Sequence, residues 1–563
     1  MIENFWKDKY PAGIAAEINP DQYPNILSVL KESCQRFATK PAFTNLGKTL
    51  TYGELYKLSG DFAAYLQQHT DLKPGDRIAV QLPNVLQYPI VVFGAMRAGL
   101  IVVNTNPLYT ARELEHQFND SGAKAVVCLA NMAHLVEGVL PKTGVKQVIV
   151  TEVGDILPPL KRFIVNFVVK HIKKMVPAYS LPQATKLTDA LARGAGKSFQ
   201  EAAPQADDVA VLQYTGGTTG VPKGAMLTHA NVSINAQQVT RHMPSLRPGQ
   251  ERVLGVLPFF HVFAMTAVMN SGIELGAELL LHPRFEIARV MQALTHERPT
   301  VLHAVPTIYN AIAAAAAAAP GRPGISTLRA CISGGAPLPA DVRARFERAT
   351  GCKLVEGYGL TEASPVLACN PPDGVIKDGS VGIPMQGTTI EIRDLADPYS
   401  ILPPGARGEI YARGPQVMRG YRNRPEETAQ SFVDGALRTG DVGHLDDDGY
   451  LFVTDRLKDV ILCGGYNVWP RVVEDALYQH PAVAEAIVIG VADRYRGQAP
   501  KAFVMLRPGQ TATPEQLRNF LADYLSKIEL PREIEIRETL PRTMIGKLSR
   551  QALVAEEQAK PAA

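Results

Sequence analysis

The sequence predicts a large α/β domain with parallel sheets and a β-rich subdomain, followed by a small α+β domain. Three observations carry this. Residues 50–150 alternate helix-like and strand-like pieces, the rhythm of βα units. Residues 372–440 are rich in Gly, Pro and short alternating runs such as Gly408-Glu-Ile-Tyr-Ala-Arg413, which suits antiparallel strands. The last part of the chain pairs two strand-like runs with an amphipathic stretch.

The elements follow in order. Thr51 is a capping residue that opens a helix reaching through 58–68. Strands are predicted over 77–82, 100–103, 123–129 and 148–153, with helices over 89–99 and 111–121 between them. Residues 182–208 are polar and irregular and read as a surface linker. Strands at 209–213 and 225–227 flank a glycine-rich loop. The alanine run 311–319 favours a helix by propensity, and strands return at 328–332 and 353–356. Near the C-terminal end, 484–491 and 501–506 read as strands. Leu517, Phe520, Leu521, Tyr524, Leu525 and Ile528 fall on one helical face.

Composition limits the functions open to the chain. Its 563 residues, 46% hydrophobic, allow several domains and a large core. A net charge of +3 gives no argument for nucleic acid. The six cysteines form no CxxC pair, so neither a zinc site nor a disulfide framework is indicated, and a reducing compartment fits. The start, Met1-Ile-Glu-Asn-Phe-Trp6, lacks a basic segment and an apolar run, and the end, Lys560-Pro-Ala-Ala563, is no peroxisomal address. No run approaches the roughly 20 apolar residues that span a bilayer. A cytoplasmic protein is expected.

The chemistry concentrates in Tyr214-Thr215-Gly216-Gly217-Thr218-Thr219-Gly220-Val221-Pro222-Lys223-Gly224. Glycines allow a tight turn and close approach to a ligand. Successive N–H groups make an anion nest, the threonine hydroxyls add donors, and Lys223 adds a point charge suited to phosphate. It is not a Walker A loop, which runs Gly-Lys-Ser/Thr into a helix. The blander reading is an ordinary hairpin loop. Downstream, His261 stands among aromatics in Leu257-Pro-Phe-Phe-His-Val-Phe263. From spacing alone it is as well suited to the core as to a site.

This loop resembles the signature of the adenylate-forming (AMP-binding) enzymes: acyl-CoA synthetases, firefly-luciferase-like enzymes and peptide-synthetase adenylation domains. The resemblance runs from about Tyr23 to Arg550 and gives the other motifs their expected roles. The loop would hold the ATP triphosphate, and His261 would line the acyl-carboxylate pocket. The turn Gly334-Gly335-Ala336-Pro337 would face adenine. In Gly357-Tyr358-Gly-Leu-Thr361-Glu362, Tyr358 would stack on the base, Thr361 would donate to a phosphate, and Glu362, with Thr218, would hold Mg²⁺. Asp441 and Arg456 would hold the ribose. Lys458 would be the hinge between residues 1–457 and a mobile domain, 458–563, that swings Gly464 and Gly465 toward the site. Lys547 would enter the site during adenylation.

The resemblance implies an ATP- and Mg²⁺-dependent acid–CoA ligase, with CoA as co-substrate. The motif wording is most similar to bacterial long-chain fatty acyl-CoA synthetases, which makes a long-chain fatty acid the expected substrate. A medium-chain or aryl acid is the alternative. A non-catalytic nucleotide-binding regulator is disfavoured by the intact Lys547, Glu362 and Asp441.

The segment from Leu160 to Tyr179 stands apart. On a helix, Ile164, Val165, Val168, Val169, Ile172, Met175 and Val176 share one face. Asn166, Lys170, Lys173 and Lys174 lie opposite, and Phe163 and Phe167 fall nearer the lysines. The pattern suits peripheral contact with a membrane's cytoplasmic face, or packing on the protein itself or on a second subunit of a homodimer.

Overall fold

The computed structural model describes residues 5–215, 222–318, 325–543 and 546–560, whose strands form four sheets. A seven-stranded sheet runs in the order Thr185–Lys186, Gln147–Thr151, Ala123–Leu129, Arg77–Gln81, Ile101–Asn104, Val209–Tyr214, Gly224–Thr228. Every neighbouring pair is parallel except the last, the hairpin that brackets the threonine–glycine loop. Local chemistry sets the helix starts. Thr51 accepts from Glu54 N–H while Glu54 accepts from Thr51 N–H, a reciprocal cap that opens Tyr52–His69. Thr110 and Glu113 repeat the device at Ala111–Ser121, which stops at Gly122 with φ +63°.

A nine-stranded sheet runs Ile383–Pro384, Val366–Cys369, Leu354–Gly359, Ala330–Gly334, Val301–Ala304, Arg252–Gly255, Glu278–Leu281, Pro41–Asn45, Lys48–Thr51. Its central strands are parallel and its outer pairings antiparallel. Parallel strands end on one side of the sheet, and ligands gather outside those carboxyl ends. His261, Thr307, Gly335 and Tyr358 all follow or end such strands.

A five-stranded antiparallel sheet forms the β-rich subdomain, with Ala436–Leu445 at its centre and Leu451–Arg456 beside it. Trp6 is buried in its core against the stretch that contains Ala363, so the Glu362 segment rests on this subdomain. The turn Leu457–Asp459 then leads into a separate sheet, Tyr466–Val468, Ile461–Cys463, Gly497–Leu506 and Val483–Asp493, with Glu533–Ile536 beside Gly497–Leu506. Contacts cross between this C-terminal unit and the rest. Arg507 pairs with Asp341 at 2.7 Å, and Arg407 stacks over Trp469 at 4.3 Å.

Three expectations need correction. Residues 182–208 are not only linker: they hold an edge strand, Thr185–Lys186, and a helix, Leu187–Gly194, whose Leu187, Ala190 and Leu191 are buried. The helix expected through Ile528 stops at Leu521. Ser526 takes Glu529 as a cap partner through both N–H and Oγ, which favours a new turn over continuation. Leu525 and Ile528 still reach the domain core, from a loop.

The third concerns 160–179. An α-helix, Pro159–Phe167, passes into a wider π turn, Val168–Ile172, and so changes phase. Asn166, expected outside, faces inward. It accepts from Gly154 N–H at 2.8 Å and donates to Glu152 and Asp155, both at 3.1 Å. Val165 and Val169 turn inward with it and are half-buried. Phe163 and Ile164 are 68% and 51% exposed.

Candidate active site

Two strands of the β-rich subdomain place a carboxylate and a guanidinium side by side. Asp441 and Arg456 are direct cross-strand partners, and Arg456 Nε lies 3.0 Å from Asp441 Oδ1. Tyr358, at the end of its parallel strand, donates to Asp441 Oδ2 at 2.6 Å. Burial and then the Asp441 charge raise the Tyr358 phenol well above its ordinary value, so it stays a donor. Asp441 is 4% exposed, and a carboxylate offers about four lone-pair sites. Two of them remain for a pair of vicinal hydroxyls.

Lys547 reaches this cluster from the C-terminal unit. Its stem lies against Gly335, on the turn after Ala330–Gly334. Burial, and then the Arg456 charge, lower its ammonium to about 8, while Asp441 acts the other way. His261 caps the helical stretch that follows it by accepting from Phe263 N–H at Nδ1 (3.3 Å). Burial and the nearby Lys547 lower it to about 3. A neutral ring with Nδ1 occupied as an acceptor carries its proton on Nε2, an uncharged donor for a carboxylate oxygen.

A second group gathers at Tyr421. Its hydroxyl donates to Glu362 Oε1 at 2.6 Å, and Lys223 Nζ sits 4.7 Å from its ring centre. Tyr421 thus holds the Glu362 carboxylate beside the lysine of the threonine–glycine loop. At the loop's base, Thr215 N–H donates to Lys223 O at 3.0 Å. Among the described residues no group of three or more acidic, His or Cys side chains could hold a metal. A lone hard carboxylate fits magnesium, which keeps most of its shell for water and phosphate oxygens.

Other candidate residues lie as follows. Gly216, Gly217, Thr218, Thr219 and Gly220 are outside the described residues. The Tyr214 ring packs over Gly224, and its hydroxyl donates to Asp120 at 2.7 Å. Gly357 pairs with Gly334 in register, and Ala336 and Thr361 are half-buried beside the same strand ends. Lys458 lies in the turn between two sheets with its side chain largely in solvent, and partial desolvation, then the Arg456 charge, lower its ammonium. Gly464 and Gly465, with φ +59° and +84°, form an exposed hairpin tip. Tyr421 was missed. Its only sequence signal is a tyrosine after Gly420, within the Gly- and Pro-rich stretch 372–440.

Residues 30–422 match the AMP-binding enzyme family, and residues 472–547 match the AMP-binding enzyme C-terminal domain. The chain belongs to the AMP-binding enzyme family. This AMP-binding enzyme is 43% identical over 562 residues to a long-chain-fatty-acid–CoA ligase of Salmonella typhimurium, covering 99% of each chain. It is 35% identical to a feruloyl-CoA synthase of Amycolatopsis sp, over 89% of this chain and 93% of that one. Among solved structures, ATP-bound MatB from Rhodopseudomonas palustris superposes with a TM-score of 0.83 at 28% identity, covering 95% of this chain and 99% of that one. Its apo form gives 0.74 at the same identity and coverage.

Proposed function

We propose that this AMP-binding enzyme is a long-chain-fatty-acid–CoA ligase. It joins a fatty acid to ATP, releasing pyrophosphate, and then passes the acyl group to CoA, releasing AMP. The observation that carries the chemistry is Lys547 lodged at Gly335, between His261 and the Tyr358–Asp441–Arg456 cluster. The likeness to long-chain-fatty-acid–CoA ligases over nearly the whole chain supports the acid.

The geometry of the described residues supports the following roles, and the family resemblance supports those of Thr218 and Thr219. Lys223 and the loop from Thr215 to Gly224, with Thr218 and Thr219, bind the triphosphate. Adenine lies between Tyr358 and the turn at Gly335 and Ala336, and Asp441 takes the ribose hydroxyls. Glu362, with Thr218, would hold magnesium, which supplies positive charge to the phosphates when bound. A carboxylate oxygen, oriented by neutral His261, attacks the α-phosphorus as the bond to pyrophosphate breaks. It is already a nucleophile, so no base is required. Lys547 stabilises the charge gathering on the α-phosphate oxygens. The C-terminal domain then turns about Lys458 and brings Gly464 and Gly465 to the site. The CoA sulfur attacks the acyl carbonyl, AMP leaves, and the thiol proton passes to solvent.

The test is an acid panel scored for CoA-dependent AMP formation. Oleate is expected to exceed octanoate and ferulate in kcat/KM. The likeness to feruloyl-CoA synthase makes an aryl acid the second reading, and ferulate ahead of oleate would establish it.

The helix at Pro159–Phe167 supports a proposal for where the enzyme meets its substrate. Leu160, Phe163, Ile164 and Phe167 are exposed together, with Lys161 and Lys170 beside them and Ile172, Lys173 and Lys174 further on. Apolar rings ringed by lysines complement an anionic bilayer. A long-chain acid collects in bilayers, so this surface docks the enzyme peripherally where its substrate is concentrated. No helix among the described residues is long and apolar enough to cross a membrane.

A further inference from the structure

The arm that carries Lys547 is folded by bonds inside its own domain. Thr543 N–H donates to Lys547 O at 2.6 Å, Gly546 N–H to Thr543 O at 2.9 Å, and Lys547 N–H to Thr543 Oγ1 at 3.2 Å. Arg542, held by both oxygens of Glu485 at 2.7 and 2.5 Å, donates to Gly546 O at 3.3 Å. These bonds travel with the domain wherever it turns, so they do not decide whether Lys547 is in the site.

A different bond does cross the seam. Thr307 Oγ1 donates to Gly546 O at 3.0 Å. Among the described residues it is the hydrogen bond that ties the arm to the large domain. Thr307 is the second residue of the helix Pro306–Ala318, which follows the strand Val301–Ala304 at the same carboxyl edge as the site. The approach is close. Gly546 has φ +82°, and a β-carbon there would lie 3.3 Å from Thr307 Oγ1.

We propose that Thr307 is a positioning residue for adenylation: its hydroxyl grips the Gly546 carbonyl when the C-terminal domain closes and so fixes the root of the Lys547 side chain. A lysine stem is flexible, with its charge four carbons from the backbone. Fixing the peptide next to its Cα is the economical way to place its ammonium. Small misplacements of a charge-stabilising group cost rate heavily. The inference rests on Lys547 acting in the adenylating step.

The experiment separates the two half-reactions. Pyrophosphate release is measured with oleate, ATP and Mg²⁺, and thioester formation with supplied oleoyl-AMP and CoA. Thr307→Val keeps the shape and removes the O–H. It is expected to lower kcat for pyrophosphate release about three- to tenfold, the worth of one hydrogen bond. KM for ATP and oleate stays within about twofold, and thioester formation is unchanged. Thr307→Ser restores the rate. In a Lys547→Ala background Thr307→Val adds nothing, because the two act as one unit. The proposal is overturned if both half-reactions fall together, or if Thr307→Val keeps its full effect without Lys547. Should Lys547→Ala itself leave pyrophosphate release intact, the failure lies in the role given to Lys547.

Discussion

Lys547 presses its side chain onto Gly335. A β-carbon built on that glycine would lie 2.6 Å from Lys547 Cε and 2.8 Å from Nζ. The glycine also has φ +80°, where other L-residues are strained. Gly335→Ala therefore displaces the one part able to give way, the end of the lysine. Pyrophosphate release is expected to fall about a hundredfold, the scale of a 1 Å misplacement of a catalytic group. Thioester formation from supplied acyl-AMP, which in the proposed cycle follows domain rotation, stays near wild type. A variant that releases pyrophosphate normally would show that Lys547 works from elsewhere.

The role proposed for Lys547 also implies a pH limit. Its ammonium is lowered to about 8, mainly by burial. The charged form is the useful one, so kcat/KM for pyrophosphate release is expected to be high below pH 8 and to decline as pH rises through it. Bound triphosphate favours the charged form, which places the limb in kcat at higher pH than the limb in kcat/KM. Lys547→Ala removes the limb and costs about 10²- to 10³-fold in pyrophosphate release. A pH profile that keeps its alkaline limb in Lys547→Ala assigns the limb to another group.

The turn Leu457–Asp459 separates the last strand of the β-rich subdomain from the first strand of the C-terminal sheet. Few residues lie there to absorb a rotation. Proline fixes φ near roughly −65°. Lys458→Pro is expected to hold one domain arrangement, leaving pyrophosphate release active and stopping thioester formation. Stopped-flow traces from pre-formed acyl-AMP would give the answer. Acyl-CoA appearing at the wild-type rate moves the hinge to another residue.

Tyr421 offers a test of the magnesium position. Tyr421→Phe keeps the ring under Lys223 and deletes the hydroxyl that orients Glu362. The Mg²⁺ concentration for half-maximal pyrophosphate release is expected to rise about ten- to a hundredfold, in line with one lost hydrogen bond to a charged group. An unchanged magnesium dependence would separate Glu362 from the metal.

The parts of this fold that were legible in the sequence are those fixed locally. The Thr51 cap and the strand rhythm of 77–129 need only near neighbours. Long-range partners left weaker traces. Nothing in the spacing around Gly335 or Lys547 points from one to the other, and only the family resemblance placed both at one site. Tyr421 earns its position by bridging to Ala225 at the edge of the loop hairpin, a pairing invisible along the chain. The helix expected through Ile528 failed for a related reason. Leu525 and Ile528 are apolar because they fill the same core, and a loop delivers them as well as a helix does. At 160–179 periodicity found an amphipathic helix but misjudged which face looks out. The decision was made by one polar residue, Asn166, finding partners at Gly154, Glu152 and Asp155.

That orientation decides which substitutions test the proposed membrane contact. Val168 is half-buried, whereas Leu160, Phe163, Ile164 and Phe167 stand out from the protein. The informative variant is Phe163→Glu/Ile164→Glu/Phe167→Glu. Burying each such side chain in a bilayer interface contributes about 1.5–3 kcal/mol at full burial. Each lysine near an anionic surface adds about 1 kcal/mol, screened by salt. Wild type is therefore expected to sediment with phosphatidylglycerol-containing vesicles at low salt and to be partly released as salt is raised. The triple variant should stay in the supernatant while keeping its activity on detergent-dispersed oleate. Size-exclusion chromatography without lipid completes the test. Wild type that ignores vesicles but elutes as a dimer, with the variant a monomer, makes this face a subunit contact and ends the membrane assignment.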